Sequence, residues 1–389
     1  MQTKVKVLHF STHNEDCGIG KYQEMFLAAM QPNEAVENKF FDVSPNQIRI
    51  MSAADKANVF QILKDELKAY DALHVQHEFS FYPSDEFLLA CDAAKETGKK
   101  LIVTIHTSPV VAYEKARRVG YMPRNVLHYL RLRKKEEFFT RTFAKPLMQA
   151  DLVLVHNNNT RNALIAIGID GAKIGEINIP VPEVDFSYRS DEIAQKLQKK
   201  KGDVVFATTG FLHKFKGLDH AVKSLSYLPA HYKLAIIGGM HRDHDNQIYN
   251  DLCDMIRDLG LMDRVYITGY VADDDRLNAL IRECDLCVYP YEKNYYANVS
   301  SAALNNAFAN HKPVVAYPTA SFGQINSGEK YMVLTQAFSY YELAREIGKI
   351  DLEYFSKKSI EYSSACSYPA VAKELVAIYT TVCGGKQIR

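Results

Sequence analysis

No stretch of this 389-residue chain approaches the roughly 18 uninterrupted apolar residues that a membrane-spanning helix needs. The opening residues, MQTKVKVLHFSTHN, read as a first strand and lack the apolar core and small-residue cleavage site of a signal peptide. Cysteine is sparse: seven residues, scattered and odd in number, make no disulfide framework and fit a reducing compartment. Cys284 and Cys287 form one C-x-x-C at the edge of an apolar strand, with no second pair to complete a metal site. Neither sign of charge is in excess. A net charge of +1 leaves the whole molecule uncommitted to nucleic acid or membrane, so any basic surface is local. Solenoid-period repeats and low-complexity segments are also missing. The expected location is the cytoplasm, with any contact at the inner face of the membrane peripheral.

The chain does contain apolar runs of strand length separated by helix-like patterns. The runs are KVKVLHF, ALHVQHE, KLIVTIHT, LVLVHN, KIGEINIP, VVFATTGF, KLAIIGG, VYITGYV, LCVYPY and KPVVAYP. Alternation of this kind predicts an α/β fold with parallel sheets covered by helices on both faces. Ten strands are many for one open sheet, and the polar, proline-containing stretch 181–203 separates two sets. The expectation is two Rossmann-like domains facing across a cleft, 1–182 and 183–369, with a C-terminal helix in 370–389 packing back on the first. Ligands of such sheets bind beyond the carboxyl ends of the strands.

Several motifs sit at those ends. In GFLHKFKG, residues 210–217, a glycine turn after a strand and a lysine before a helix suit a diphosphate: the backbone approaches closely and an ammonium neutralises charge. Gly210 and Lys216 are the core of that reading, with His213 and Lys214 as further cation candidates; a surface lysine on an ordinary turn is the competing one. In NVSSAALNNAFANHKPVVAYP, residues 298–318, small residues Val299, Ser300 and Ser301 at a helix start leave N–H groups open to an anion. DCGIGK is a glycine turn feeding a helix, where Gly18 and Gly20 permit close backbone approach, but the third glycine of a dinucleotide fingerprint is missing. His106 ends an apolar strand and is expected to project into the cleft; the alternative is a packing histidine. In HVQHE, strand alternation sends His74 and His77 to opposite faces, against a shared metal, and leaves Glu78 to touch an acceptor or orient His106. The triplet in ADDDRL reads as a polar helix start rather than a magnesium site. The insertion 113–145 is basic and interleaved with aromatics. It is either a solvated helix pair or a surface for an anionic acceptor or membrane interface, with Arg117 and Arg118 as acceptor-side candidates.

Three stretches together, STHNEDCGIGKYQEMFLAAM, ALHVQHEFSFYP with KKLIVTIHTSP, and GFLHKFKGLDHAVKSL with VYPYEKNYYANVSSAALNNAFANHKPVVAYP, resemble a retaining glycosyltransferase of the GT-B fold, family 4-like, across nearly the whole chain. The resemblance implies transfer of a sugar from a nucleotide-sugar co-substrate to a hydroxyl acceptor, without metal or other cofactor. Lys216 matches the family lysine on the donor phosphates, and His106 matches a histidine near the transferred sugar. The backbone from Gly269 through Tyr270 to Val271 would border the nucleotide base, with Gly238 and Gly239 keeping that floor open. Two departures stand out. Phe211 occupies a position usually held by arginine, and Asn298 and Asn306 stand where the family places a glutamate pair. Glu292 in the same loop is a possible sugar contact. With no carboxylate placed for double displacement, the resemblance implies a front-face route in which the leaving phosphate helps deprotonate the acceptor. The competing readings are a non-catalytic nucleotide-sugar-binding protein and a nucleotide-sugar epimerase.

Overall fold

The computed structural model describes residues 4–13, 18–31, 33–108, 134–240, 247–293 and 301–384. The chain divides into two compact units, Met1–Ile179 with Tyr368–Arg389, and Pro180–Ser367. Each holds one six-stranded sheet. The first contains β1 (Val5–Phe10), β2 (Val36–Phe40), β3 (Ala72–His77), β4 (Lys100–Ile105), β5 (Leu152–Val155) and β6 (Ile174–Glu176), in the order β2-β1-β3-β4-β5-β6. The second contains β7 (Val204–Thr209), β8 (Tyr232–Ile237), β9 (Val265–Ile267), β10 (Leu286–Tyr289), β11 (Val314–Ala316) and β12 (Val333–Leu334), in the order β12-β11-β10-β7-β8-β9. Every neighbouring pair is parallel. These are the two Rossmann-like units that the alternating pattern predicts.

All ten strands read from the sequence are present, and two more flank them. Both are edge strands. β2, VENKF, buries only alternate residues, and β12 has two residues, so neither carries the long apolar run that betrays a strand covered on both faces.

In the first unit one face of the sheet packs Leu8, Phe10, Leu73 and Val103 against helices through Phe60, Phe87 and Phe143. The opposite face packs Val7, Ile102 and Leu154 against the helix Tyr368–Cys383 through Val371, Leu375 and Tyr379. Each fully buried side chain of this size contributes roughly 1.5–3 kcal/mol. The C-terminal helix is therefore part of the first core although 188 residues of the second unit, Pro180–Ser367, precede it in the chain.

The strand orders fix where ligands can enter. In the first sheet the order reverses between β1 and β3; in the second it reverses between β7 and β10. At such a point the loops leaving two adjacent strands turn to opposite sides and open a crevice at the carboxyl ends.

Of the basic insertion, 113–133 lie outside the described residues, Arg117 and Arg118 among them. Its described end is helical over 134–148. There Phe143 is buried against Phe139 and Phe87, while Lys134 and Lys135 are exposed. Among the described residues no helix is long and apolar enough to cross a membrane.

Candidate functional site

In the second unit β7 ends at Thr209 and β10 at Tyr289, adjacent strands across the reversal point. The two ends are tied together: Thr209 Oγ1 lies 3.1 Å from the Tyr289 hydroxyl, which donates to the Ala303 carbonyl at 2.6 Å. From Thr209 the chain turns at Gly210 with φ of 99°, forms a short 3-10 turn Lys214–Lys216, turns again at Gly217 with φ of 64°, and enters the helix Leu218–Leu225. Gly217 is required twice over. Its backbone is left-handed, and a Cβ there would run into the carbonyl of Pro290, the residue after β10.

This double turn folds Lys216 back. Its ammonium donates to the Thr209 carbonyl at 3.2 Å, lies 5.9 Å from the centre of the Tyr291 ring, and sits where a Cβ on Gly210 would be. Among the described residues no carboxylate pairs with it. Burial with no compensating charge pulls its pKa down to about 8. Among the described residues this ammonium is a cation without a counter-ion at the carboxyl end of a parallel sheet.

The other candidate residues of this unit take more specific places. His213 and Lys214 both turn around Phe215: the His213 ring is 4.9 Å from it, and the Lys214 ammonium is 4.8 Å from its centre. Ser301 is the N-cap of the helix Ala302–Ala309, accepting from Leu304 N at 3.2 Å, and its hydroxyl meets that of Tyr291 at 3.1 Å. Asn306 lies in the second turn of that helix and is partly exposed. Asn298, Val299 and Ser300 lie outside the described residues. Gly239 backs onto Tyr270, whose amide a Cβ at 239 would strike. Tyr270 itself is exposed, and its ring lies parallel to that of Phe211, with centres 5.6 Å apart and planes within 6°. Val271 sends its side chain into the core. Asp273 of the aspartate triplet caps the helix Asp274–Glu283 through Arg276 N, a structural duty. Among the described residues no group of three metal-ligand side chains is gathered. Cys284 and Cys287 are buried, and burial raises both thiols, Cys287 to about 12.

In the first unit, Gly18 and Gly20 lie in the first turn of the helix Gly18–Met30. That helix places Tyr22 edge-on against His106, ring centres 5.2 Å apart. His106 follows β4 and is partly exposed, yet both of its ring nitrogens are engaged inside the unit. Nε2 is 2.8 Å from the Gln76 amide, and Nδ1 is 3.3 Å from Nε2 of His156. His106 has no free nitrogen to offer, because neighbouring strands supply partners for both. Glu78 does not orient it either; the Glu78 carboxylate accepts from Thr107 at 2.5 Å instead. His74 and His77 face opposite ways: His74 meets Tyr379, and His77 is packed among Tyr82, Phe87 and Phe143. Burial alone pulls His77 down to about 3.

Sequence reasoning passed over His156, Gln76 and Tyr379. His156 was the most accessible of the three, since LVLVHN ends an apolar strand in a histidine just as LIVTIHT does. Gln76 and Tyr379 gave no signal; their importance comes from contacts across 30 and 305 residues of chain.

Comparison with known proteins agrees with this fold. No curated protein sequence matches the chain. Among solved structures it is similar to sucrose-phosphate synthase from Thermosynechococcus elongatus, at TM-score 0.66 and 16% identity, covering 99% of this chain and 100% of that one. It is similar to HepE from Anabaena in complex with UDP and glucose, at TM-score 0.63 and 15% identity, covering 97% and 100%. WaaG, a glycosyltransferase involved in lipopolysaccharide biosynthesis, is matched at TM-score 0.61 and 13% identity, covering 97% and 100%. Identities this low establish the fold, which is GT-B. Residues 189–359, almost the whole of the second unit and including Lys216, Tyr270 and Ser301, match the family model for glycosyl transferases group 1.

Proposed function

We propose that the protein is a retaining glycosyltransferase of the family 4 type, which moves a hexosyl group from a nucleoside diphosphate sugar to a hydroxyl acceptor without a metal. The observation that carries this reading is the Lys216 ammonium: half-buried, without a carboxylate partner among the described residues, and held over the reversal point of the second sheet. Loss of a nucleoside diphosphate from a sugar builds negative charge on phosphate. A preplaced cation in a site that excludes water stabilises that charge without reorganising. Gly210 lets a phosphate approach next to the ammonium, and the neighbouring Phe211 and Tyr270 rings offer a flat apolar surface one residue further on, suited to a nucleobase.

The UDP complex of HepE and the glycosyl transferases group 1 match support UDP-sugars as the first donors to test. With Asn306 in place of a carboxylate and, among the described residues, no acid paired with Lys216, the chemistry favours a front-face displacement, the leaving phosphate taking the acceptor proton. His106 contributes a fixed ring rather than a base. The acceptor belongs to the first unit in this reading, with Glu78 and the basic segment containing Arg117 and Arg118 meeting an anionic or lipid-linked glycan.

A thermal-shift panel of nucleoside diphosphates and nucleotide sugars tests the donor, since a ligand of the folded state alone raises its melting temperature. Transfer with the product anomer read by NMR tests the reaction. A donor that binds, yet releases no nucleoside diphosphate with any acceptor, would favour a binding protein, the reading that Asn298 and Asn306 motivate. Release without any acceptor would favour an epimerase.

A further inference from the structure

Five side chains of the first unit form one unbroken line. The Tyr379 hydroxyl is 2.6 Å from His74 Nδ1. His74 Nε2 is 3.2 Å from the Gln76 amide and 2.8 Å from Thr104 Oγ1. The other end of that amide is 2.8 Å from His106 Nε2. His106 Nδ1 is 3.3 Å from His156 Nε2, and His156 Nδ1 is 3.0 Å from the carbonyl of Ile177. The line starts on the C-terminal helix and crosses β3 and β4 to the ends of β4 and β5.

One end has a fixed polarity, because a carbonyl only accepts. His156 Nδ1 therefore carries hydrogen. A neutral His156 then has a bare Nε2, so His106 must donate from Nδ1, and a neutral His106 has a bare Nε2. A bare nitrogen needs a donor, and among the described residues only the NH2 end of the Gln76 amide supplies one. The structure sets Oε1 toward His106 and Nε2 toward His74. The two ends of an amide have the same shape, so hydrogen-bond accounting decides between them. With oxygen toward His106, the two histidines between Gln76 and Ile177 must share three protons, one of them an imidazolium.

We propose that the Gln76 amide nitrogen points to His106, that all three histidines are neutral, and that Gln76, His156, His74 and Tyr379 are positioning residues holding His106 as the Nδ1–H form with its Nε2 lone pair already engaged. The direction is single throughout: Tyr379 O–H to His74 Nδ1, His74 Nε2–H to Gln76 Oε1 and Thr104 Oγ1, Gln76 N–H to His106 Nε2, His106 Nδ1–H to His156 Nε2, and His156 Nδ1–H to Ile177 O. Burial independently disfavours the alternative. It pulls His156 down to about 4 and both His74 and His106 well below the usual histidine range, and among the described residues no carboxylate offsets a charge there. The consequence for transfer rests on the reading given above: His106 acts as an oriented ring and carries no proton.

The full-length chain with ring-15N histidine decides it. Its 13 histidines are assigned by single substitutions, and long-range proton–nitrogen correlation at pH 7 distinguishes bare from protonated nitrogens. The expected result is His106 and His156 protonated at Nδ1 only and His74 at Nε2 only. An imidazolium at His106 or His156, hydrogen on His106 Nε2, or a mixture of tautomers would overturn the assignment. Gln76→Met tests the positioning role. It should lower kcat roughly tenfold, as misplacement of a site group does, with the donor KM unchanged; unaltered kcat would remove that role. Wild-type protein that transfers no sugar while showing the expected spectrum would sink the glycosyltransferase reading and leave the proton assignment standing.

Discussion

Replacing Lys216 by methionine should make the protein more stable and unable to hold a diphosphate. Methionine keeps the length and apolar stem of lysine and removes the charge. Burial moves the ammonium from 10.5 to about 8. That is about 2.5 units, which at roughly 1.4 kcal/mol per unit makes the charged form cost about 3 kcal/mol in the folded state. Loss of the hydrogen bond to the Thr209 carbonyl returns about 1 kcal/mol of that. The net gain is about 2 kcal/mol, or about 4–8 °C in the melting of a unit of this size. The sign with pH follows from the same numbers. Between about 8 and 10.5 the unfolded chain binds more protons at this site than the folded one, so wild-type stability rises with pH there. The penalty is full below pH 8 and gone by about 10.5. The advantage of Lys216→Met should therefore be largest at neutral pH and close across that window.

Binding should move the other way. A charge-assisted hydrogen bond contributes roughly 1.5–3 kcal/mol, so the variant should bind nucleoside diphosphate roughly ten- to a hundredfold more weakly. For the wild type at pH 9, binding should take up a proton, visible in calorimetry as a dependence on buffer ionisation heat. Scanning calorimetry from pH 7 to 10.5, with and without UDP, reads both effects. A Lys216→Met protein that is no more stable at pH 7 and binds UDP as wild type does would refute the account of this lysine.

Three further outcomes follow from other parts of the structure. Phe211→Ala or Tyr270→Ala removes one ring of the parallel pair, which should weaken nucleoside diphosphate binding up to about tenfold while leaving inorganic pyrophosphate unaffected, since stacking contributes roughly 0.5–1.5 kcal/mol; equal losses for both ligands would place the base elsewhere. Gly217→Ala combines a left-handed backbone with a Cβ driven into the Pro290 carbonyl, so denaturant titration should show a loss of about 3 kcal/mol or more; a change within 1 kcal/mol would mean that the turn opens freely. Transfer should persist at full rate after exhaustive chelation of divalent cations, and a rate restored only by added metal would contradict the metal-independent route.

Much of this was legible in the residues themselves. Among the described strands, the central ones are apolar runs bounded by polar turns, because a parallel strand covered on both faces must be apolar on both. β2 and β12 were not, since VENKF faces partner helices on one side only and a two-residue strand has no period. The glycine turn before Lys216 could be read for the same kind of reason: only glycine takes φ of 99° so easily, whatever surrounds it. The residue-level placement of His106 was different. The sequence puts a histidine at the end of β4 but says nothing of what reaches its nitrogens. Those partners arrive from β3 and from the end of β5, and the line continues to the last helix.

The sequence by itself determined the local facts: which segments are strands, where the backbone must turn left-handed, and which side chains can carry a cation or a proton. Strand order, and with it the reversal between β7 and β10 beside Lys216, was decided only in the tertiary structure, because it depends on which apolar faces meet and not on any one segment. The same is true of charge. An ammonium near 8 and histidines held neutral are properties of burial and of neighbours far away in the chain, and an isolated lysine or histidine carries no trace of them.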